Sequence, residues 1–174
     1  MKNTVFISLL FLVLSGFTVS KRVDAMIEKE VKAVFDIEHF SKSEVPLSNE
    51  IKAQLPIEIT AENFIKINNA ESHLGYYFLG KAYGKADYFD FIVIFDADLV
   101  VSKVKVLVYR EEHGGEIKSN RWLRQFIGTS NTSELKYQKD IAGISGATIS
   151  AKAMTYEVNK ILKTVNILYT NNQL

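Results

Sequence analysis

The sequence predicts an α+β fold in which helices pack on an antiparallel sheet, as a single domain after an N-terminal apolar segment. Between about residues 64 and 109, short segments either alternate apolar with polar residues or are apolar almost throughout. Only short turns separate these segments, which favours antiparallel neighbours. On both sides of this region, apolar residues recur at the three- and four-residue spacing of amphipathic helices.

Four strands follow from this pattern. They are expected over Phe64–Ile67, Leu74–Ala82, Phe89–Phe95 and Val100–Tyr109. In the last of them, Val104, Val106 and Val108 are expected on one face, because side chains two residues apart share a face of a strand. The aromatic residues of the second strand, Tyr76, Tyr77 and Phe78, are expected to be mostly core.

Three helices flank the strands. The first ends near Asp36, a short one covers Asn120–Ile127, and the last is long, with an apolar stripe from Ala147 to Leu168. The polar stretch Ser41–Pro56 is interpreted as a connector that contains one short helix at Glu50–Leu55.

The first twenty residues resemble an export signal. Lys2 precedes the apolar run Val5–Val19, which is short for a membrane span of ~20 residues, and the small residues Thr18 and Ser20 permit cleavage after Ser20. An uncleaved anchor or a buried helix are the alternatives. We expect export to the periplasm or to the outer face of the cytoplasmic membrane.

Composition excludes several classes of function. The 21 basic and 20 acidic residues nearly balance, so a nucleic acid is not expected as a partner. There is no cysteine, which excludes disulfides, thiolate catalysis and thiolate-bound metals. The three histidines are scattered without metal-ligand spacing, and no metal site is expected.

The segment Ala142–Ser150, of sequence AGISGATIS, carries the chemistry. It leads into the long helix and combines small residues with the hydroxyls of Ser145, Thr148 and Ser150. The first N–H groups of a helix lack internal partners and lie at the positive end of its dipole, where a phosphate binds well. The alternative is that Ser145 or Thr148 is an ordinary helix cap.

The tetrapeptide Ser145-Gly146-Ala147-Thr148 before an amphipathic helix resembles the flavin-attachment motif of the FMN-binding domain family. That family includes flavin-carrying subunits of the sodium-pumping NADH:quinone reductase and of Rnf electron-transport complexes. Other segments resemble the family in the same order, over roughly residues 62–166. These are Gly75–Phe78, Ile92–Phe95, Tyr109–Glu116 and Trp122–Phe126.

The resemblance implies FMN as the cofactor, esterified through its phosphate to Thr148 by a flavin transferase. The family motif usually has an acidic residue three places before its first hydroxyl residue. Here that place is Ala142, and the nearest acid is Asp140. The resemblance therefore leaves both covalent and noncovalent FMN open.

The predicted FMN contacts extend beyond the motif. Gly114 and Gly115 would let the flat flavin ring lie against the backbone, with N–H groups or His113 at its polar edge, or they form only a turn. The full predicted set is Thr148, Ser145, Gly146, Ala147, Glu112, His113, Gly114, Gly115 and Trp122. Trp122 is interpreted as core or as a wall that covers the ring.

The domain divisions are 1–20 for the signal peptide or anchor, 21–61 for the N-terminal helix and connector, and 62–170 for the FMN-binding domain. The predicted function is an exported flavoprotein that passes electrons between membrane redox proteins, as a carrier and not a complete oxidoreductase. One alternative is an exported binding module that holds noncovalent FMN or another phosphorylated ligand. The other is a structural or interaction protein.

Overall fold

The computed structural model describes residues 21–174, so the predicted export segment lies outside the described residues. A helix covering residues 21–35 (α1) comes first. The strands are β1 Ser41–Glu44, β2 Phe64–Asn68, β3 His73–Tyr83, β4 Tyr88–Asp96 and β5 Val101–Val108. The later helices are α2 Asn49–Lys52, α3 Asn120–Leu123 and α4 Thr148–Thr170, with 3₁₀ turns at Gly115–Lys118 and Arg124–Phe126.

The five strands form one antiparallel sheet in the order β1-β2-β3-β4-β5. Neighbours in the sheet are neighbours in the chain. Short turns connect β2 through β5, whereas the segment between β1 and β2 is longer and contains α2. The central pair, β3 and β4, stays in register from Gly75 opposite Asp96 to Tyr83 opposite Tyr88. The α+β class and the antiparallel sheet are thus confirmed.

Both faces of the sheet are covered. On one face, α3 and α4 bury a core that includes Phe78, Phe91 and Met154. On the other face, α1 packs Ile27 and Val31 onto residues from four strands, Ile65, Tyr77, Ile92, Ile94 and Leu107. Burial between these layers raises the pKa of the Tyr77 hydroxyl to about 12.

Tyr76, Tyr77 and Phe78 are buried, which confirms them as core. The prediction for Val108 is wrong. A bulge where β5 passes Asp90 and Phe91 turns Val108 away from the face of Val104 and Val106, and it packs on the α1 side.

Two other expectations change in detail. The connector contains β1, an edge strand whose four residues are all exposed and therefore carry no apolar alternation that would reveal them. The helix expected over Asn120–Ile127 is the single turn of α3 followed by a 3₁₀ turn. Within residues 21–174, no helix is both long and apolar enough to span a membrane.

The packing of α1 on the sheet predicts that α1 unfolds together with the sheet in one cooperative transition. Ile27 is 2% exposed against the sheet, so Ile27→Ala should lower the free energy of unfolding by about 2–5 kcal/mol. Lys29→Ala, on the exposed side of the same helix, is the matched control and should change it by less than about 0.5 kcal/mol. Urea titration measures both. Equal midpoints for the two variants would show that α1 is only loosely attached.

Candidate functional site

Within residues 21–174, no side chain caps the N-terminus of α4. Its N-cap residue is Ala147, and no side chain of the described residues accepts a hydrogen bond from the first N–H groups of the helix. The hydroxyl of Thr148 instead donates to the Ile144 carbonyl oxygen, at 3.4 Å. The interpretation of Ser145 or Thr148 as an ordinary helix cap is therefore wrong, and the N–H groups remain available to a ligand.

The charges near this helix end favour an anion. The first turn of α4 carries no acidic residue, which would otherwise offset the positive end of the helix dipole. Lys152 follows Thr148 by four residues and so lies on the same side of the helix, one turn further on. Its ammonium nitrogen lies 5.6 Å from the centre of the Tyr137 ring.

The approach to Thr148 is open. Ser145, Gly146 and Thr148 are exposed, and only Ala147 of the tetrapeptide is buried. Gly146 has φ +80°, and a Cβ placed on it would meet no atom of residues 21–174 within 4 Å. The loop thus combines a left-handed backbone conformation that suits glycine with free space beside the helix start.

The fold brings the predicted glycine turn against this loop. A Cβ on Gly114 would lie 2.7 Å from the Cβ of Ala147 and 3.2 Å from the carbonyl oxygen of Gly146. Gly114 also has φ +77°, so it is required both by its conformation and by its neighbours. The two segments that sequence analysis singled out therefore form one site.

Gly115 differs from Gly114. It is exposed, and a Cβ there would meet only the side chain of Lys118, at 3.7 Å. Glu112 and His113 also expose their side chains on this turn, where they form no hydrogen bond with the described residues. The turn thus presents open backbone and two polar side chains beside the loop.

Trp122 braces the loop from inside. Its indole is buried, and its Nε1 donates to the Ala142 carbonyl oxygen at 2.7 Å. Gln125, which sequence analysis did not single out, accepts from the Ala142 N–H at 2.9 Å and donates to the Trp122 carbonyl. The side chains of Trp122 and Gln125 thus fix the main chain where the loop begins.

The acid nearest to the motif has a structural partner. Asp140 accepts a hydrogen bond from the Lys136 N–H at 2.8 Å, which closes the turn before the loop. Ala142, at the place of the usual acid, is exposed. Asp140 therefore helps to shape the chain before the loop.

Other features lie elsewhere or have no ligand set. A cavity of about 1030 Å³ opens near β1 and the Lys81 end of β3, and none of the predicted site residues line it. Within residues 21–174, no group of three or more His, Asp or Glu side chains is placed to hold a metal ion. The helix start and the glycine turn remain the site that the geometry favours.

Comparison with known families gives one match. Residues 84–163 match the family model of the FMN-binding domain. No curated protein matches the chain. The matched span includes every predicted site residue and indicates FMN as the cofactor.

The contact between the turn and the loop predicts an unequal effect of two glycine substitutions. Gly114→Ala adds a methyl group against Ala147 as well as backbone strain. Gly128 has a similar φ of +83° but open space around it, so Gly128→Ala measures the strain alone. We expect Gly114→Ala to be the more destabilising by about 1–3 kcal/mol in urea titration. Equal losses would mean that the turn and the loop separate easily.

Proposed function

The chain carries a domain of the FMN-binding domain family, and on that premise we propose that it is an exported electron carrier with FMN esterified to Thr148. The observation that supports the ester is the exposed Thr148 at an uncapped helix start. A phosphate on its oxygen would lie beside N–H groups that have no side-chain partner among residues 21–174. The helix dipole would stabilise the remaining phosphate charge.

The hydroxyl of Thr148 is accessible to a modifying enzyme. Its hydrogen bond to Ile144, at 3.4 Å, is long for a hydroxyl donor and is lost at little cost. In this step the Thr148 oxygen would form a bond to the phosphorus of a flavin phosphoanhydride, the P–O bond of the anhydride would break, and the second phosphate group would depart as the leaving group. The hydroxyl proton would pass to a base of the transferase. A flavin transferase is the proposed partner for this step, because the chain offers no base in hydrogen-bond contact with Thr148 among its described residues.

The side chains around Thr148 and the glycine turn support the proposal of an electron carrier over that of a complete oxidoreductase. Bound FMN supplies the redox chemistry, and the chain supplies its placement. Glu112 and His113 lie exposed on the glycine turn, and among residues 21–174 the hydrogen-bond partner of the Thr148 hydroxyl is a backbone carbonyl and not an acidic or basic side chain. A cofactor at this exposed helix start would be accessible to a membrane electron donor and acceptor, which are the proposed redox partners.

Export explains why a covalent bond would be useful. The order of charge, apolar run and small residues over residues 2–20 supports transfer across the cytoplasmic membrane. FMN lost from a reversible site outside the cytoplasm would not be replaced there. A phosphoester to Thr148 would hold one FMN for the lifetime of the protein.

The ester predicts a specific loss of label. When coexpressed with a flavin transferase, the wild-type chain should fluoresce on a denaturing gel and carry the FMN mass on the peptide that contains Thr148. Thr148→Ala should abolish the fluorescence, while Thr132→Ala, at an exposed threonine on another loop, should leave it unchanged. Ser145→Ala should slow labelling without abolishing it. Ser145 lies exposed next to the site and would help to position the loop, but it would not receive the ester.

Two results would contradict the ester. Fluorescence of Thr148→Ala after denaturation would place the flavin on another residue. A wild-type chain that binds FMN but releases it on denaturation would make the protein a noncovalent FMN binder. The second result would point to Ala142, since the usual acid is missing there and Asp140 is engaged with Lys136.

Export is tested separately. A reporter that is active only outside the cytoplasm, fused after Leu174 so that α1 and the sheet stay intact, should be active. The same fusion without residues 1–20 is the control and should be silent. A silent full-length fusion, together with an active cytoplasmic reporter at the same position, would exclude export.

A further inference from the structure

A pair of hydroxyl groups joins the glycine turn to α4. Tyr109 follows β5 directly, and its hydroxyl oxygen lies 3.0 Å from the His113 carbonyl oxygen and 3.3 Å from the hydroxyl oxygen of Ser150. A carbonyl oxygen can only accept a hydrogen bond, so the Tyr109 hydroxyl donates to His113. The Ser150 hydroxyl is then the donor to Tyr109, and the chain of bonds runs from α4 to the turn.

The tyrosine ring is itself held in place. Phe89 meets it edge-on, with ring centres 5.6 Å apart, and the Lys118 ammonium lies 5.9 Å from its centre. Ser150 is 2% exposed, so its hydroxyl is shielded from competing water. We call the hydrogen-bonded chain from Ser150 through Tyr109 to the His113 carbonyl the bridge. Its position is set by packing as well as by hydrogen bonds.

The bridge joins the two parts of the proposed flavin site. Ser150 lies two residues after Thr148 on α4, and His113 lies on the turn beside Gly114 and Gly115. Gly114 also lies close to Gly146 and Ala147. Van der Waals contact limits approach but has little directionality, whereas hydrogen bonds fix orientation.

We propose that Tyr109 and Ser150 are positioning residues that set the glycine turn relative to Thr148 and thereby orient the flavin ring of the anchored FMN. The inference rests on the proposed function, since it needs FMN at Thr148 and its ring near the turn. Neither hydroxyl touches the reacting atoms in this proposal. Both act through the backbone that they hold.

The test uses the full chain loaded with FMN. Tyr109→Phe removes only the hydroxyl and keeps the ring against Phe89. We expect the visible circular dichroism of the flavin and its midpoint potential to change, while the extent of labelling stays within about twofold of wild type. Ser150→Ala should give the same change, and Ser150→Thr, which keeps a hydroxyl, should restore the wild-type spectrum. The double variant should add little, because the two groups act as one unit.

Tyr83→Phe is the matched control. The Tyr83 hydroxyl also donates to a backbone carbonyl on a turn, that of Ala86 at 3.3 Å, but it lies on the β3–β4 hairpin. This variant should leave the flavin spectrum and potential unchanged. An equal change in Tyr83→Phe and Tyr109→Phe would overturn the proposal, as would a wild-type spectrum and potential in Tyr109→Phe.

Amide exchange in the flavin-free chain separates this proposal from the ester. The Ile117 N–H donates to the Gly114 carbonyl at 3.1 Å, and Tyr109→Phe should speed its exchange several-fold. If wild type carries no covalent FMN, the ester is wrong, and the spectrum of reversibly bound FMN tests the positioning role. Faster exchange with an unchanged flavin spectrum would make Tyr109 purely structural and overturn the proposal.

Discussion

The site depends on one close approach, that of the glycine turn to the start of α4. A side chain at residue 114 would put its Cβ 2.7 Å from that of Ala147, so the two segments approach this closely because Gly114 has no side chain. The sheet makes the approach possible. The glycine turn follows the end of β5, and α4 packs on the sheet face that carries Phe91. The packing of α4 on the sheet therefore sets how close Thr148 lies to the glycine turn.

The length of α4 explains how its first turn can go uncapped. The helix has 23 residues, and an apolar stripe from Ala151 to Leu168 is buried against the sheet. Losing a cap costs only about 1 kcal/mol, which burial of several such side chains exceeds. The core therefore stabilises the helix without a side-chain cap at its N-terminus, and no side chain of the described residues occupies those N–H groups.

The sequence predicted those elements whose periodicity reflects burial. Strands β2 to β5 and α4 have one buried face or two, and their apolar patterns locate them to within a residue or two. Strand β1 is exposed and is held by its pairing with β2, and the bulge in β5 depends on pairing with β4, so neither leaves a local signal. A pattern along the chain cannot show interactions that depend on a partner strand.

The same limit applies within the site. The motif at Ser145–Thr148 and the paired glycines were visible, but their contact, and the different roles of Gly114 and Gly115, depend on the turn meeting α4. Tyr109 lies within a segment that resembled the family, yet its bond to Ser150 spans 41 residues. Gln125 acts on the main chain of Ala142, for which the sequence gives no sign.

Two hydrogen bonds hold the main chain of Ala142, which stands where the family motif usually has an acidic residue. Trp122 binds its carbonyl and Gln125 its N–H, so the loop is fixed there without any contribution from the side chain. The Ala142 side chain is exposed, so an acidic side chain at this position would also be exposed to solvent. The shape of the loop therefore does not require an acid at 142. Its replacement by alanine matters for whatever approaches the loop from outside, and in the proposed function that is the flavin transferase.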